Sequence, residues 1–168
     1  IKPNVILHCA GQVAVTTSII NPRDDFESNA LGTFNVLESI RLNKLKSTLI
    51  YTSTNKVYGN LKYDKVKIVK KRYVFSNRKI GVNEDNQIDF HSPYGCSKGT
   101  ADQYVRDYSR IYGINSYVLR QSCIYGTNQF GIEDQGWLAW FVIASILGKK
   151  ITIFGDGRQV RDLLYIDD

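Results

Sequence analysis

The chain of 168 residues is 43% hydrophobic and 23% charged, which is typical of a soluble globular domain with one core and excludes a disordered or fibrous protein. No apolar run approaches the roughly 20 residues that a membrane-spanning helix needs, and no signal peptide opens the chain, so neither a membrane protein nor a secreted one is predicted. The three cysteines (Cys9, Cys96 and Cys123) lack metal-ligand spacing, and we expect reduced thiols in a cytoplasmic protein without a metal site.

The first third of the chain alternates between apolar runs and an amphipathic helix. The runs at 4–11 and 47–52 predict strands that are buried on both faces, as in parallel sheets. Between them, the apolar spacing predicts a helix that begins at Asp24 and Asp25. Its expected buried stripe consists of Phe26, Ala30, Phe34, Leu37 and Ile40.

The alternation continues later in the chain. Ser92 is a suitable N-cap before Pro93, and the apolar spacing that follows predicts a helix as far as Gly113. Strand–helix alternation of this kind predicts an α/β fold in which helices cover a parallel sheet. The remaining predicted elements are a strand at 116–120, a helix at 137–147 and a strand at 151–154.

Residues 60–90 interrupt the alternation. This segment is too long for an ordinary connection, so we expect it to carry structure or a function of its own. Such a basic run could contact nucleic acid, but no binding motif accompanies it, and a solvated basic insertion is favoured. Its basic residues are Lys62, Lys65, Lys67, Lys70, Lys71, Arg72, Arg78 and Lys79.

Tyr94 and Lys98 lie four residues apart at the start of the predicted helix at 92–113. This spacing places both side chains on one face. A nearby ammonium favours the ionised phenol, so we expect the pKa of Tyr94 to fall toward physiological pH, as a general acid or base requires. An ordinary surface pair is the alternative, and the neighbouring motifs argue against it.

Motifs of one known family occur in the family's order along nearly the whole chain. They are Asn29-x-x-Gly32-Thr33, Thr52-Ser53-Thr54, Val57-Tyr58-Gly59, Tyr94-x-x-x-Lys98 and Gly155-Asp156-Gly157-Arg158-Gln159-Val160-Arg161-Asp162. Together they make the chain similar to the extended short-chain dehydrogenases/reductases, the group of nucleotide-sugar epimerases and dehydratases. The resemblance implies an α/β, Rossmann-like doubly wound parallel sheet, with NAD as cofactor and a nucleotide sugar as substrate.

The resemblance also implies roles for individual residues. As catalytic residues, Tyr94 would exchange a proton with a sugar hydroxyl, Lys98 would hold the phenolate, and Thr54 would donate to the sugar oxygen. Thr54, Gln129 and Arg161 are the expected substrate contacts, Arg161 because its planar fork binds phosphate oxygens bidentately. The expected cofactor contacts are Ala10, Gly11, Asn29, Thr52, Tyr94, Lys98 and Ser122.

Several of these residues have structural alternatives. Gly11 is equally compatible with a simple loop glycine, and Asn29 with a structural bridge inside a helix. Arg161 could instead pair with Asp162. Thr54 on its own is an ordinary β-branched residue at the end of a strand.

Within the family, three runs favour one reaction. Residues 53–59, 91–99 and 134–137 are most similar to epimerases that invert C2 of a CDP-hexose through a transient 2-keto sugar. Dehydratases carry an Asp-Glu pair after the catalytic threonine, where Asn55 and Lys56 stand here. Inversion at C4 of a UDP-hexose, and NAD binding without catalysis, are the alternatives. We expect a nucleotide-sugar partner, no nucleic acid, no membrane, and a homo-oligomer at full length.

One departure from the family is large. The glycine-rich turn that binds the dinucleotide pyrophosphate at a helix N-terminus is absent before His8. The first strand here resembles the fourth of the family, and the residue that separates NAD from NADP would precede it. We therefore expect an internal fragment, inactive alone, of a longer enzyme: a partial NAD-binding domain with an insertion at about 60–90 and the start of a substrate lobe at about 123–168.

Overall fold

The computed structural model describes residues 2–77 and 81–168, so Arg78 and Lys79 of the basic segment lie outside the described residues. The chain divides into two compact units. Unit one comprises residues 1–59 and 88–121, and unit two comprises 60–87 and 122–168. No helix of the described residues is both long enough and apolar enough to cross a bilayer.

The elements follow one another in a partly regular α/β order. A π-helical turn, Glu27–Leu31, lies between the helices Pro22–Phe26 and Gly32–Leu42, and a 3₁₀ turn, Asn55–Tyr58, follows the strand Thr48–Thr54. In chain order the strands and helices are β1 (Val5–His8), α1 (Val15–Ile20), α2 (Pro22–Phe26), α3 (Gly32–Leu42), β2 (Thr48–Thr54), β3 (Val66–Val69), β4 (Arg72–Phe75), α4 (Ser92–Tyr112), β5 (Ser116–Gln121), β6 (Cys123–Tyr125), α5 (Trp137–Ile146) and β7 (Leu163–Tyr165).

Unit one is built on a sheet of three parallel strands in the order β1-β2-β5. Leu7, Ile50 and Tyr117 are in register across it. The predicted parallel sheet is confirmed. Because all three strands run the same way, the residues that follow β1, β2 and β5 lie at one edge of the sheet, where α/β folds bind their ligands.

Helices α3 and α4 pack against one face of this sheet. Val5 of β1 and Tyr117 of β5 lie on the opposite face and are 55% and 57% exposed. The prediction that β1 is buried on both faces is therefore wrong, and β5 is exposed on the same face. On the helical face, β2 and the helices share a core formed by Leu37, Ile40, Leu49, Tyr51, Ala101, Val105, Tyr108 and Ile114.

The predicted stripe of the first long helix is only partly correct. Leu37 and Ile40 are buried in the core and Ala30 is buried nearby, but Phe26 is 53% exposed. Phe26 precedes the π-helical turn, whose wider spacing breaks the 3.6-residue period on which the stripe was predicted. The helix also starts earlier than predicted, at Pro22, where the Asn21 side chain accepts from the Asp24 N–H.

The predicted helix at 92–113 is present as α4. Ser92 is its first residue rather than its N-cap, although the Ser92 Oγ still accepts from the Gly95 N–H over 3.2 Å, as a capping side chain does. Gly113 ends the helix with φ of 67°, a conformation that glycine adopts without a steric cost. The local signals at both ends therefore located α4 to within one residue.

Unit two contains a hairpin, a helix and a short parallel sheet. β3 and β4 pair antiparallel within the basic segment, and β6 pairs with β7. The helix predicted at 137–147 is confirmed as α5. The strand predicted at 151–154 is wrong: the described backbone there pairs with no strand, and Ile153 and Phe154 are exposed. The β6 and β7 strands, each of three residues, were not predicted.

Candidate active site

Thr54 at the end of β2 and Tyr94 in the first turn of α4 meet in the interior of unit one. The Thr54 hydroxyl lies close enough to the Tyr94 phenol to lower the pKa of that phenol, and both residues are buried. The Thr54 Oγ1 also accepts from the Lys56 N–H at 3.3 Å, which turns the chain into the 3₁₀ helix after the strand. The parallel sheet and α4 thus bring together two hydroxyl groups that are 40 residues apart in sequence.

Lys98, one turn along α4 from Tyr94, is buried against β2. Its Nζ donates to the Thr52 carbonyl oxygen over 2.7 Å and lies 4.5 Å from the centre of the Tyr51 ring. Thr52 in turn donates through its Oγ1 to the His8 carbonyl oxygen at 3.1 Å. The ammonium is therefore fixed at the carboxyl end of β1 and β2, by a carbonyl oxygen and by the face of an aromatic ring.

The expected pKa of Tyr94 is wrong in direction. Burial raises the pKa of the Tyr94 phenol, and the hydrogen bond from Thr54 opposes that rise only in part. Burial also lowers the pKa of Lys98 to about 8. The sequence placed the ammonium near the phenol but said nothing of the apolar surroundings, and desolvation disfavours the charged form of both groups.

Replacing Thr54 with alanine should move the acidic limb of the pH profile of kcat to higher pH. We expect the Tyr94 phenolate to be the active base, and removing a hydrogen bond that stabilises the phenolate raises the pKa of Tyr94. One hydrogen bond of about 1 kcal/mol corresponds to a shift of about one pH unit. Thr54→Ser keeps the hydroxyl and should restore the wild-type limb. An unmoved limb in the alanine variant, measured by turnover from pH 7 to pH 12, would contradict this contact.

Ser18 fixes the position of Tyr94, and sequence reasoning missed it. Ser18 is fully buried in α1; its Oγ accepts from the Tyr94 N–H at 3.1 Å and donates to the Val15 carbonyl oxygen at 2.7 Å. One of the free N–H groups of the first turn of α4 is thereby capped from another helix. No local pattern marks a serine whose partner lies 76 residues away.

A buried polar cluster surrounds Asn29 in the π-helical turn. The Asn29 Nδ2 donates to Asp25 Oδ1 at 3.2 Å and to Ser97 Oγ at 3.0 Å, while Ser97 donates to the other Asp25 oxygen. This is the structural bridge that was the alternative for Asn29. Its Oδ1, however, is buried without a partner among the described residues, so an acceptor for a further donor is present.

Gly11 lies beside that acceptor. A Cβ at Gly11 would come within 2.5 Å of the Asn29 Oδ1 and 3.9 Å of the Lys98 Nζ, so a side chain there would fill the space between them. Ala10 and Gly11 are exposed after β1. A dinucleotide could therefore approach the exposed backbone at Gly11 closely and reach the Asn29 amide oxygen and the Lys98 ammonium. The geometry of these residues is compatible with the cofactor contacts expected from the sequence.

Asp102 of α4 and Arg120 of β5 form a buried ion pair that also contacts Ser53 of β2. The Arg120 Nε and Nη2 each donate to the Asp102 carboxylate at 2.9 Å, and Ser53 donates to it at 2.7 Å. Arg120 also donates to the Tyr58 hydroxyl at 3.0 Å. The pair and Ser53 join α4, β2 and β5, so removing one partner would leave a buried charge unpaired.

The other predicted site residues belong to unit two. The Ser122 Oγ donates to the Asp162 carbonyl oxygen at 3.2 Å, and the Gln129 Nε2 donates to the Ile124 carbonyl oxygen at 3.2 Å. Arg161 is exposed, and the described residues include no ion pair between it and Asp162. The roles of Ser122, Gln129 and Arg161 in binding stay predictions.

Comparison with known proteins gives consistent matches over the whole chain. The family model of the NAD dependent epimerase/dehydratase family matches residues 1–168. The CDP-paratose 2-epimerase of Salmonella typhi is 49% identical over 99% of this chain and 51% of its own length, and a putative UDP-glucose 4-epimerase of Methanocaldococcus jannaschii is 34% identical over 98% and 48%.

A solved structure shows the same fold. The UDP-glucose 4-epimerase of Thermus thermophilus, in complex with NAD, is similar with a TM-score of 0.78 and 28% identity, covering 97% of this chain and 49% of that one. The chain spans about half the length of the curated relatives it matches.

Proposed function

Because the chain belongs to the NAD-dependent epimerase/dehydratase family, we propose that the protein containing it is an NAD-dependent nucleotide-sugar epimerase. The observation that carries the proposal is the buried contact between Thr54 and Tyr94, with Lys98 one turn further along α4. A phenol, a hydroxyl and an ammonium held in this way suit proton transfer at a sugar hydroxyl.

The residues of unit one that would hold the cofactor are Gly11, Asn29 and Lys98. The unpaired Asn29 Oδ1 offers an acceptor and the Lys98 ammonium offers a donor, beside backbone that carries no side chain at Gly11. NAD bound there would supply the hydride chemistry, as acceptor and then donor of a hydride at one sugar carbon.

The protein's own groups would then move the proton and hold the substrate. The Tyr94 Oη takes the hydroxyl proton as the sugar is oxidised and returns it on reduction. The Thr54 hydroxyl donates to the sugar oxygen as it becomes a carbonyl. Arg161 anchors the phosphates, so the sugar can present its other face without leaving the site.

The finer proposal is inversion at C2 of a CDP-hexose, interconverting CDP-paratose and CDP-tyvelose. It is supported by the 49% identity to the CDP-paratose 2-epimerase of Salmonella typhi and by the runs at 53–59, 91–99 and 134–137. The alternative is inversion at C4 of a UDP-hexose, which the putative UDP-glucose 4-epimerase of Methanocaldococcus jannaschii favours at lower identity. Tyr94 and Lys98 would serve both reactions, so they do not decide between them.

Isotope retention tests this proposal. The whole protein should convert CDP-paratose to CDP-tyvelose without added cofactor, and a substrate deuterated at C2 should give product that keeps deuterium at C2 in ordinary water. The label is retained because the hydride is transferred and returned without exchange with solvent. Mass spectrometry and NMR of the product provide the measurement.

Other outcomes select the other readings. Loss of the label would indicate proton abstraction next to a carbonyl, and inversion at C4 of a UDP-hexose without turnover of CDP sugars would select the alternative. Bound NAD without turnover of either class would indicate a non-catalytic relative. The homo-oligomer, the cytoplasmic location and the lack of nucleic-acid binding stay predictions.

A further inference from the structure

The basic segment to which the sequence assigned no role forms the hairpin of β3 and β4. Val66 pairs with Phe75 and Val69 with Arg72, and a two-residue turn closes the hairpin. All four residues of β3 are exposed. A two-stranded hairpin is marginally stable on its own in water, so this one depends on contacts with another part of unit two.

Tyr73 of β4 makes that contact through two hydrogen bonds to the turn at residues 155–158. The Tyr73 N–H donates to the Arg158 carbonyl oxygen at 3.0 Å, and the Tyr73 hydroxyl donates to Asp156 Oδ2 at 2.7 Å. The Asp156 Oδ1 accepts from the Arg158 N–H at 3.0 Å. Tyr73 of the hairpin is therefore hydrogen-bonded to both the Asp156 carboxylate and the main chain of this turn.

The turn leads directly to Arg161. Gly155 and Gly157 have φ of 88° and 73°, which glycine adopts readily. After Arg161, the Asp162 carbonyl oxygen accepts from Ser122, and β7 pairs with β6. Arg161 therefore lies in a three-residue span, 159–161, between two anchored parts of the chain. The hydrogen bonds of Tyr73 anchor the chain before this span, and the contacts of Ser122 and β6 anchor the chain after it.

We propose that Tyr73 is a positioning residue for substrate binding, and that the hairpin orders the span that presents Arg161 to the phosphates of the nucleotide sugar. Arg161 is exposed and has no ion pair among the described residues, so its position depends on the backbone. A span that is ordered beforehand loses less entropy on binding. This inference rests on the proposed function, because it takes Arg161 as the phosphate ligand.

Tyr73→Phe in the whole protein tests the inference. The variant keeps the backbone bond to Arg158 and loses the hydroxyl bond to Asp156. We expect KM for CDP-paratose and Kd for CDP to rise about fivefold, the equivalent of one hydrogen bond, while kcat and bound NAD stay unchanged. Tyr63→Phe is the matched control, because Tyr63 is an exposed tyrosine of the same segment. The KM of the Tyr63→Phe variant should equal that of the wild type.

Two further measurements separate positioning from a general loss of structure. Amide hydrogen exchange should accelerate at residues 155–161 in Tyr73→Phe and stay unchanged in α4. The double variant Tyr73→Phe/Asp156→Ala should bind CDP no more weakly than Asp156→Ala alone, because each change removes the same hydrogen bond between the two side chains. Additive losses would overturn the inference.

The failures of the two proposals are distinguishable. If the wild type turns over CDP sugars or UDP sugars, and Tyr73→Phe shows wild-type KM and Kd, the positioning role is wrong and the proposed function stands. A fall in kcat or in bound NAD with unchanged KM also contradicts the positioning role. If the wild type turns over neither class of sugar, the proposed function fails and the role of Tyr73 fails with it.

Discussion

Tyr94→Phe in the whole protein should lower kcat about a thousandfold, within the usual range for loss of a general acid or base. The phenyl ring still fills the buried site between α4 and β2, so the fold should be unaffected. Gly11, Asn29 and Lys98, the proposed cofactor residues of unit one, are unchanged. NAD released from the denatured variant should therefore equal that from the wild type.

A matched control is available on the same helix. Tyr104 is also on α4 and is 45% exposed. Tyr104→Phe likewise removes a phenolic hydroxyl group, but one that does not contact Thr54. Its kcat should stay within twofold of wild type by the usual small effect of surface substitutions, about ±0.5 kcal/mol. A Tyr94→Phe variant that keeps activity within about tenfold of the wild type would remove Tyr94 from proton transfer, since general acid–base catalysis contributes more than that.

The sequence predicted the features that depend on neighbouring residues. Pro93, Ser92 and Gly113 located α4 because helix ends are determined by backbone hydrogen bonds and φ values of a few adjacent residues. The parallel sheet followed from the strand–helix alternation, which chain connectivity restricts to few topologies. Once β2 and α4 were predicted, Thr54 was expected at the end of its strand and Tyr94 at the start of its helix.

The sequence did not predict what depends on distant residues. Ser18 caps α4 from 76 residues away, and Asp102 of α4 pairs with Arg120 of β5, without any local pattern. The predicted direction of the pKa shift of Tyr94 was wrong, because sequence spacing indicates which residues are neighbours but not how deeply they are buried. Burial raises the pKa of Tyr94 and determines the direction of the shift.

The strand errors have a similar cause. An apolar run at 4–11 or 151–154 indicates a strand but does not show which surfaces cover it or which strand pairs with it. Leu163 and Tyr165 became strand residues because β6 lies alongside them, although three residues carry too little pattern for prediction.

Lys98→Met should lower kcat at least a hundredfold and change how the stability of the protein depends on pH. Methionine has a similar length without the charge, so the space between α4 and β2 stays filled. The wild-type ammonium is buried, with its pKa lowered from 10.5 to about 8. We expect kcat to fall at least a hundredfold, roughly the effect of removing a preorganised electrostatic group, while the Tyr94–Thr54 contact remains.

The stability difference should then depend on pH in one direction. The folded state disfavours the charged form of Lys98. Below pH 8 the lysine is charged in both states, so its burial lowers the free energy of unfolding of the wild type by the full amount. This destabilisation disappears as the pH rises from 8 toward 10.5. The free energy of unfolding of the wild type relative to Lys98→Met should therefore rise by about 3 kcal/mol between pH 7 and pH 10.5, at about 1.4 kcal/mol per pKa unit. Lys46→Met, at an exposed lysine, should show no such trend. Urea unfolding of the three proteins across this range provides the measurement, and a constant difference between the wild type and Lys98→Met would show that Lys98 is not buried as a charged group.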